Sequence, residues 1–453
     1  MALNRANLGT TADGADIFVI TGANSPFTNL GTLTTSGNLA SPIYGAASGI
    51  SITNRGSLFT TGNGSPGIEV GQLFGSHYDN ATVTNYGSIS TGGSFVDDGS
   101  NLEFSDGIDL YGNNNRAVNF GSIVASNADP DSGVVGIYSV GVGSTLINYG
   151  KIDFTGGGMA IDGFDGTETG NTALNFGQIH VTGDDRNGIT LNTADNVVKN
   201  YGVITIDGIV SFGIALRGDS NHGENYGTIL ATGEGDRGVI LEGEETTFDN
   251  YGTIRTTGLD SVGARFSGFA PAGTDGGTIT NYGKIISSAW AVKGALADDH
   301  FVNHSTLVGD AYMGAGDDTY VAGAGGSLSG ALTLADGDDL IVFEKGGGKL
   351  TVTDFAAGVA TDDVIDLSAF HFHSFDEVMS HASQSGTDVI LSLGGKDVIT
   401  LQNVTLGTLS SDDFSLGSLA SAQATTTSAE VFPALLANPF ETHGHHFDLH
   451  GMF

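Results

Sequence analysis

The chain has no cysteine, 7 prolines, a single tryptophan and only 15 Lys+Arg among its 453 residues. Without cysteine there are no disulfides, no thiolate metal sites and no cysteine nucleophile. Fifteen basic residues against 51 acidic ones leave a formal net charge of -36. Such a chain repels nucleic acid and anionic lipid, because binding either one requires neutralising phosphates. No apolar run approaches the length of a membrane-spanning helix, so none is expected. The opening stretch MALNRANLGTTADGAD lacks the apolar segment of a cleavable signal peptide and by itself reads as cytoplasmic. Sustained helical periodicity is absent, as are the HExxH, GxSxG and P-loop signatures of common catalytic sites.

Glycine, by contrast, is abundant at 72 residues, while hydrophobic residues still make up 39%. That combination belongs to a folded chain with many tight turns or closely approaching backbones, not to a disordered one. A phrase, Asn-x-Gly-x-(Ile/Leu), begins at Asn29, Asn54, Asn85, Asn119, Asn148, Asn175, Asn200, Asn225, Asn250 and Asn281, and a degraded copy begins at Asn303. A second phrase, Gly-Ile-x-Leu or a near relative, follows the Asn at a constant offset in the most regular copies: Gly188 after Asn175, Gly213 after Asn200 and Gly238 after Asn225. Each copy holds two or three short β-type segments separated by Gly, Asn, Asp and Ser. One copy alone has too little surface to bury its apolar residues; stacked coils bury Ile on Ile and pair strands at ~4.8 Å.

The expected fold is therefore an all-β parallel solenoid of about 11 coils with 22–34-residue repeats. Variable intervals fit, because extra residues loop out without disturbing the stack. In this frame the recurring Asn suits an inward or corner position, its amide bonded to the Asn of the next coil in a ladder. The following residue, Tyr or Phe in eight copies, can stack on its equivalents, or present an aromatic stripe to sugars.

The pattern changes after residue 308. Gly314-Ala315-Gly316-Asp317-Asp318-Thr319-Tyr320 fits G-x-G-x-D-x-U, with U a large apolar residue, and Ala335-Asp336-Gly337-Asp338-Asp339-Leu340-Ile341 is a weaker copy of it. Carboxylate and carbonyl oxygens at such turns are the hard ligands that Ca²⁺ prefers. Downstream come Thr353-Asp354-Phe355, then Asp363-Val364-Ile365-Asp366-Leu367-Ser368, and two alternating segments around Gly394-Gly395.

From about residue 309 to 418 the chain resembles the hemolysin-type calcium-binding (repeats-in-toxin, RTX) proteins exported by type I secretion. The resemblance implies Ca²⁺ held at Gly314, Gly316, Asp318, Gly337 and Asp339, with Asp317, Asp336 and Asp338 as helpers. It departs from the family in having only two copies, in replacing the leading Gly by Met313 or Leu334, and in the wider interval from Gly316 to Gly337. The resemblance further implies a C-terminal export signal in residues 419–453, partnership with the type I secretion machinery, and an extracellular or cell-surface location in a Gram-negative bacterium. The expected organisation is a rod over 1–308, calcium turns over 309–350, a β-rich flank over 351–418 and the tail. A transition-metal site at His443, His445, His446 and His450 is the alternative role for that tail.

Long repetitive solenoids with extended faces and open sheet edges suit self-association. The favoured reading is accordingly non-enzymatic: a homopolymeric matrix, filament or surface-layer subunit, or an adhesin for a cell-surface glycan. The coil phrase also resembles the passenger repeats of large bacterial surface adhesins. Thr-rich stretches such as Thr60-Thr61 and Thr256-Thr257 are too irregular for an ice-binding lattice. The alternative is a polysaccharide-modifying enzyme (lyase or epimerase) or a glycan-binding module. For it, Asp184, Asp185 and Arg186 on one coil, Asp236 and Arg237 two coils on, Phe212 between them and His222 are the groove candidates, although no catalytic residue is assigned.

Overall fold

The computed structural model describes residues 2–417, except 74, 98–101, 126–133, 163–167, 268–273 and 360–362. The tail and its histidines lie outside the described residues. The described coils form one continuous unit. Each coil lays down three strands, so the solenoid has three faces. In one regular coil these are Thr172–Asn175 on the first face, Gln178–Thr182 on the second and Asn187–Leu191 on the third. Sixteen described strands stack in parallel on the first face, from Ala2–Asn4 to Phe414–Ser415. Fifteen rises of ~4.8 Å give a stack of roughly 70 Å.

The Asn ladder is present and longer than the phrase suggests. From Asn4 to Asn303, each Nδ2 donates to the Oδ1 of the Asn in the next coil at 2.8–3.0 Å. Asn4 escapes a sequence search because Arg5-Ala6 follows it in place of an aromatic and a glycine. Alongside runs a ladder of rings. Tyr86, Phe120 and their successors through Tyr282 stack with centroids 4.8–5.0 Å apart and planes within 12°. Arg55 covers the outer face of Tyr86 at 4.2 Å, and His304 stacks on Tyr282 at 5.2 Å. Because the ring faces are occupied by each other, only their edges reach solvent.

Inside, Ile and Leu from the three faces form one core along the whole stack; full burial of each contributes about 1.5–3 kcal/mol. The glycine of Gly-Ile-x-Leu has a steric cause. A Cβ on Gly188 would sit 2.5 Å from Ile204 Cγ2 and 2.6 Å from the Gly213 carbonyl oxygen. The third strand is thus pressed against the second strand of the following coil.

The solenoid does not stop at residue 308. Thr319–Ala322, Leu340–Phe343 and Val364–Asp366 continue the first face in register, with shorter coils. It therefore has more coils than the eleven counted from the phrase. At the far end Lys349–Val352 pairs with Asp397–Leu401, which turns through Gly394–Gly395 into an antiparallel hairpin with Asp388–Gly394. The helix Phe375–Ser380, capped by the Ser374 side chain, lies beside it.

A carboxylate-lined candidate site on the third face

On these third-face strands the residue that follows the buried Ile points outward. In successive coils these outward residues are Tyr44, Glu69, Asp109 and Tyr138, each directly opposite the next. On a bare rod they would be wet. Here they are covered, because the coils that run from Asn54 to Asn85 and from Asn85 to Asn119 are among the longest in the array. The extra residues fold back over the third face. Val96–Asp97 pairs antiparallel with Leu102–Glu103, Leu73 packs on Tyr111 and Val140, and Phe104 lies 6.4 Å from Tyr138.

The consequence is four carboxyl groups out of water: Glu69, Glu103, Asp106 and Asp109 are 6%, 7%, 1% and 0% exposed. No ion pair with Lys or Arg is formed by any of them among the described residues. Glu69 Oε2 accepts a hydrogen bond from Ser41 Oγ at 2.8 Å, and Asp106 Oδ1 accepts one from the Val135 amide at 2.6 Å. Burial pushes Glu103 up to about 7. It does the same to Asp106, against the pull of its hydrogen bonds with Asp109 and Val135. Glu69 is driven well above the carboxylate range by burial and then by the charge of Glu103. Asp109 is driven up by burial and then by its contact with Asp106. Like charges out of water cannot all ionise, so protons are held in this cluster at neutral pH.

Asp106 opens onto a cleft of about 290 Å³ that spans the next coils. Phe104 and Tyr138 form one wall, Gly157 and Ala160 line it, and Arg186, Asn187, Thr190 and Asn192 complete it. Glu69 and Glu103 line a smaller recess of about 80 Å³ with Gln72. An aromatic wall, polar donors and an acid raised to about 7 by burial in one cleft is the composition of a small-ligand or sugar site.

Of the groove candidates named from sequence, Asp185 and Arg186 do line this cleft. Phe212 does lie between the strands carrying Asn187 and Arg237. Asp236 instead supports a turn, accepting the amides of Ser211 and Gly233. His222 sits on the first face, bonded to Thr247 and Glu224. The four buried acids were not among the candidates, since they come from separate coils and share no local motif. The available signal was the run of long coils, which marks where loops must fold over a face.

The acidic turns after residue 308 stack on one another, with Gly314 opposite Ala335 and Ala315 opposite Asp336. Gly314, Gly316 and Gly337 have φ of 120°, 122° and 148°, and a Cβ on Gly337 would meet the Gly316 carbonyl. Asp318 and Asp339 stand in their coils where upstream coils carry Asn171, Asn196 and Asn221, just ahead of the ladder position. Their Oδ1 atoms do what those Asn side chains do, accepting the Asp299 and Asp318 amides at 2.7 and 2.9 Å. Their Oδ2 atoms are buried without a hydrogen-bond partner. Asp317 accepts the Asp338 amide at 3.0 Å, and Asp336 is exposed. Among the described residues, no three acidic or histidine side chains converge on one point, so a cation here would also need carbonyl oxygens.

Residues 2–159 match the family described as the BigA third pectate lyase-like domain. This stretch includes all four buried acids. The chain is also 33% identical over 74 residues to the endo-1,3-1,4-beta-glycanase EglC of Rhizobium meliloti (strain 1021). That match covers 16% of this chain and 15% of the glycanase, so the chain spans only a small part of its relative's length. No solved structure matches. Among the described residues, no helix is long and apolar enough to cross a membrane.

Proposed function

We propose that the covered third face is a polysaccharide site and that Asp106 is its acid. The observation that carries this reading is the burial of four carboxyl groups without basic partners, one of which, Asp106, lines an aromatic-walled cleft. Leaving so many acids without counter-ions costs stability, and such costs concentrate at functional sites. Asp106 is the member that reaches the cleft. Burial raises its pKa to about 7, and the protonated form donates to the glycosidic oxygen as the C–O bond breaks. The carbon takes an attacking water in place of that oxygen, or forms a C=C bond on loss of a neighbouring proton, and the proton released restores Asp106. The similarity of residues 2–159 to a pectate lyase-like domain, and the short similarity to a glycanase, support a glycan as the ligand.

The test is turnover of a polysaccharide panel by the full chain and by Asp106→Asn, read as new reducing ends and as unsaturated product absorbance. Loss of about 10²-fold or more with binding retained is the expected result for a general acid. Binding without turnover in the wild-type chain would reduce the site to a glycan-binding cleft. Neither binding nor turnover would end the reading.

Calcium binding at the stacked acidic turns is a separate proposal, supported by the buried, partnerless Oδ2 atoms of Asp318 and Asp339. Export by type I secretion and a cell-surface location rest on the RTX resemblance alone. Self-association is a second reading. It is supported by the half-exposed ring edges from Tyr86 to Tyr282, which form a straight apolar line across eight coils. Electron microscopy with calcium and with EGTA tests it: dispersed single rods under both conditions would rule out calcium-driven assembly.

A further inference from the structure

Beyond the cleft the third face changes sign. Arg237, Arg265 and Lys293 occur on three consecutive coils whose strands, Arg237–Leu241, Val262–Phe266 and Lys284–Lys293, are paired in register. Arg265 stands directly between Ile240 and Lys293. The chain has only 15 basic residues against 51 acidic ones, so three on adjacent rungs is a local reversal of its field. None of the three forms an ion pair among the described residues, whereas the neighbouring Arg217 is neutralised by Glu242 at 2.8 Å. Burial, then the charge of Arg265, holds Arg237 and Lys293 below their usual ranges, and burial lowers Arg265 against the pull of Glu242. The Nε of Arg237 is buried with no hydrogen-bond partner. So is that of Arg186, on the cleft wall one coil before Phe212.

Rings accompany these cations. Arg237 lies over Phe212 at 5.1 Å and Lys293 over Trp290, the sole tryptophan, at 5.6 Å. Tyr312 meets Trp290 edge-on in the next coil. Phe212, Ala215 and Ile240 form a separate small apolar cluster under this strip. Partly buried cations beside apolar groups, with Glu242 and Asp260 near enough to be felt but not in direct ion pairs, are arranged to receive an anion from outside.

We propose that this strip binds the anionic substituents of a polysaccharide lying along the third face, with Arg237, Arg265 and Lys293 taking the charges and Trp290 a sugar ring. The inference rests on the cleft reading for the identity of the ligand as a glycan. It adds that the glycan is charged and that its chain crosses the coils in the direction of the stack. Arg265 and Lys293 stand opposite each other on adjacent rungs, ~4.8 Å apart at the backbone. Arg237 lies on the preceding rung opposite Val262, three positions along the strand from the residue facing Arg265. Cations spread over three rungs suit a polymer that carries several anions.

The experiment uses the full chain in affinity electrophoresis against dextran, carboxymethyl-dextran, dextran sulfate and phosphorylated dextran at matched size. Charged dextrans are expected to retard the wild-type chain despite its own net negative charge, with an effect that fades as salt rises. Which of the three retards most identifies the substituent. The Arg237→Gln/Arg265→Gln/Lys293→Gln variant is expected to lose at least 10-fold in affinity, and Arg265→Lys to keep most of it. Arg255→Gln on the second face is expected to change nothing. Equal retardation of the wild type and the triple variant would overturn the strip, as would stronger retention by single-stranded DNA than by any charged dextran. So would salt-sensitive dimerisation that the triple variant abolishes, since the strip would then be covered by a second copy. Asp106→Asn separates the two readings. Turnover of a neutral glycan that Asp106→Asn abolishes, with no binding of charged dextrans, would sink the strip and leave the cleft. Retention of charged dextrans with no turnover of any glycan would do the reverse.

Discussion

Replacing Asn225 by Ala removes one rung of the Asn ladder and gives a sharp test of what the ladder contributes. Asn225 Oδ1 accepts from Asn200 Nδ2 at 2.8 Å, and its own Nδ2 donates to Asn250 Oδ1 at 2.8 Å. Asn225 is fully buried. After truncation Asn200 Nδ2 keeps only its 3.4 Å contact with the Gly202 carbonyl, and Asn250 Oδ1 faces a methyl group. Each unmet buried group costs about 1–3 kcal/mol. With the Gly202 contact retained, the lower half of the summed range applies, about 2–4 kcal/mol. Solenoids need not unfold in one step, so hydrogen exchange is the better assay. The Tyr251 amide, which donates to the Asn225 carbonyl at 2.8 Å, and its equivalents in adjoining coils report local opening. Their protection is expected to fall by roughly 30- to 1,000-fold, at about 1.4 kcal/mol per decade. Thr228→Ala, at a partly exposed second-face position of the same coil, is the control. A drop no greater than the control's would refute the ladder as a source of stability. Asn225→Asp adds a sign test. At neutral pH it sets a carboxylate against the acceptor Asn250 Oδ1, and it is expected to be worse than Ala. Acidification restores a donor, so protection recovers as pH falls through the raised pKa of that Asp.

Three further outcomes follow from the same structure. Gly188→Ala is expected to destabilise by about 1–3 kcal/mol or more, because its Cβ meets Ile204 Cγ2 and the Gly213 carbonyl; an unchanged urea midpoint would contradict that packing. Glu103 and Asp106, held near 7, keep protons in the folded chain that the unfolded chain releases near pH 4. Their contribution to stability is therefore full below about pH 4 and lost as pH rises to about 7. Asp106→Asn should flatten this slope and abolish any activity limb falling above pH 7, and a slope unchanged in that variant would argue against the assignment. Asp318→Asn keeps the acceptor for the Asp299 amide but removes the carboxylate. It is expected to fold normally and to lose most of any calcium-induced rise in Tm, while an undiminished rise would place the cation elsewhere.

Much of this architecture is written locally. The Asn, the aromatic and the Gly of each copy act on their equivalents one coil away, so a single phrase contains the rule for its own stacking. The Gly of Gly-Ile-x-Leu is similarly legible once the strands are placed. The candidate site is not local. Glu69 and Asp109 are neighbours only because one long coil intervenes between them, and Asp106 is buried only because residues of the same coil fold over it. Sequence shows the long coils but not where their loops land. Asp318 and Asp339 illustrate the converse. As a motif they point to calcium, yet they also fill the corner position that Asn171, Asn196 and Asn221 fill upstream, a role visible only when the coils are aligned on the ladder.

Repetition carries a hazard that the uneven coils remove. In an array of identical rungs, any Asn fits the next but one almost as well as the next, and a folding chain could skip a coil with every hydrogen bond still made. The evenly spaced coils from Asn175 to Asn250 are open to that error. The coils that begin at Asn54 and Asn85 carry further contacts that fix their place, Glu69 with Ser41 and Leu73 with Tyr111. The irregular stretch thus serves as the datum from which the array is counted, so the segment that carries the acids also sets the numbering of the stack.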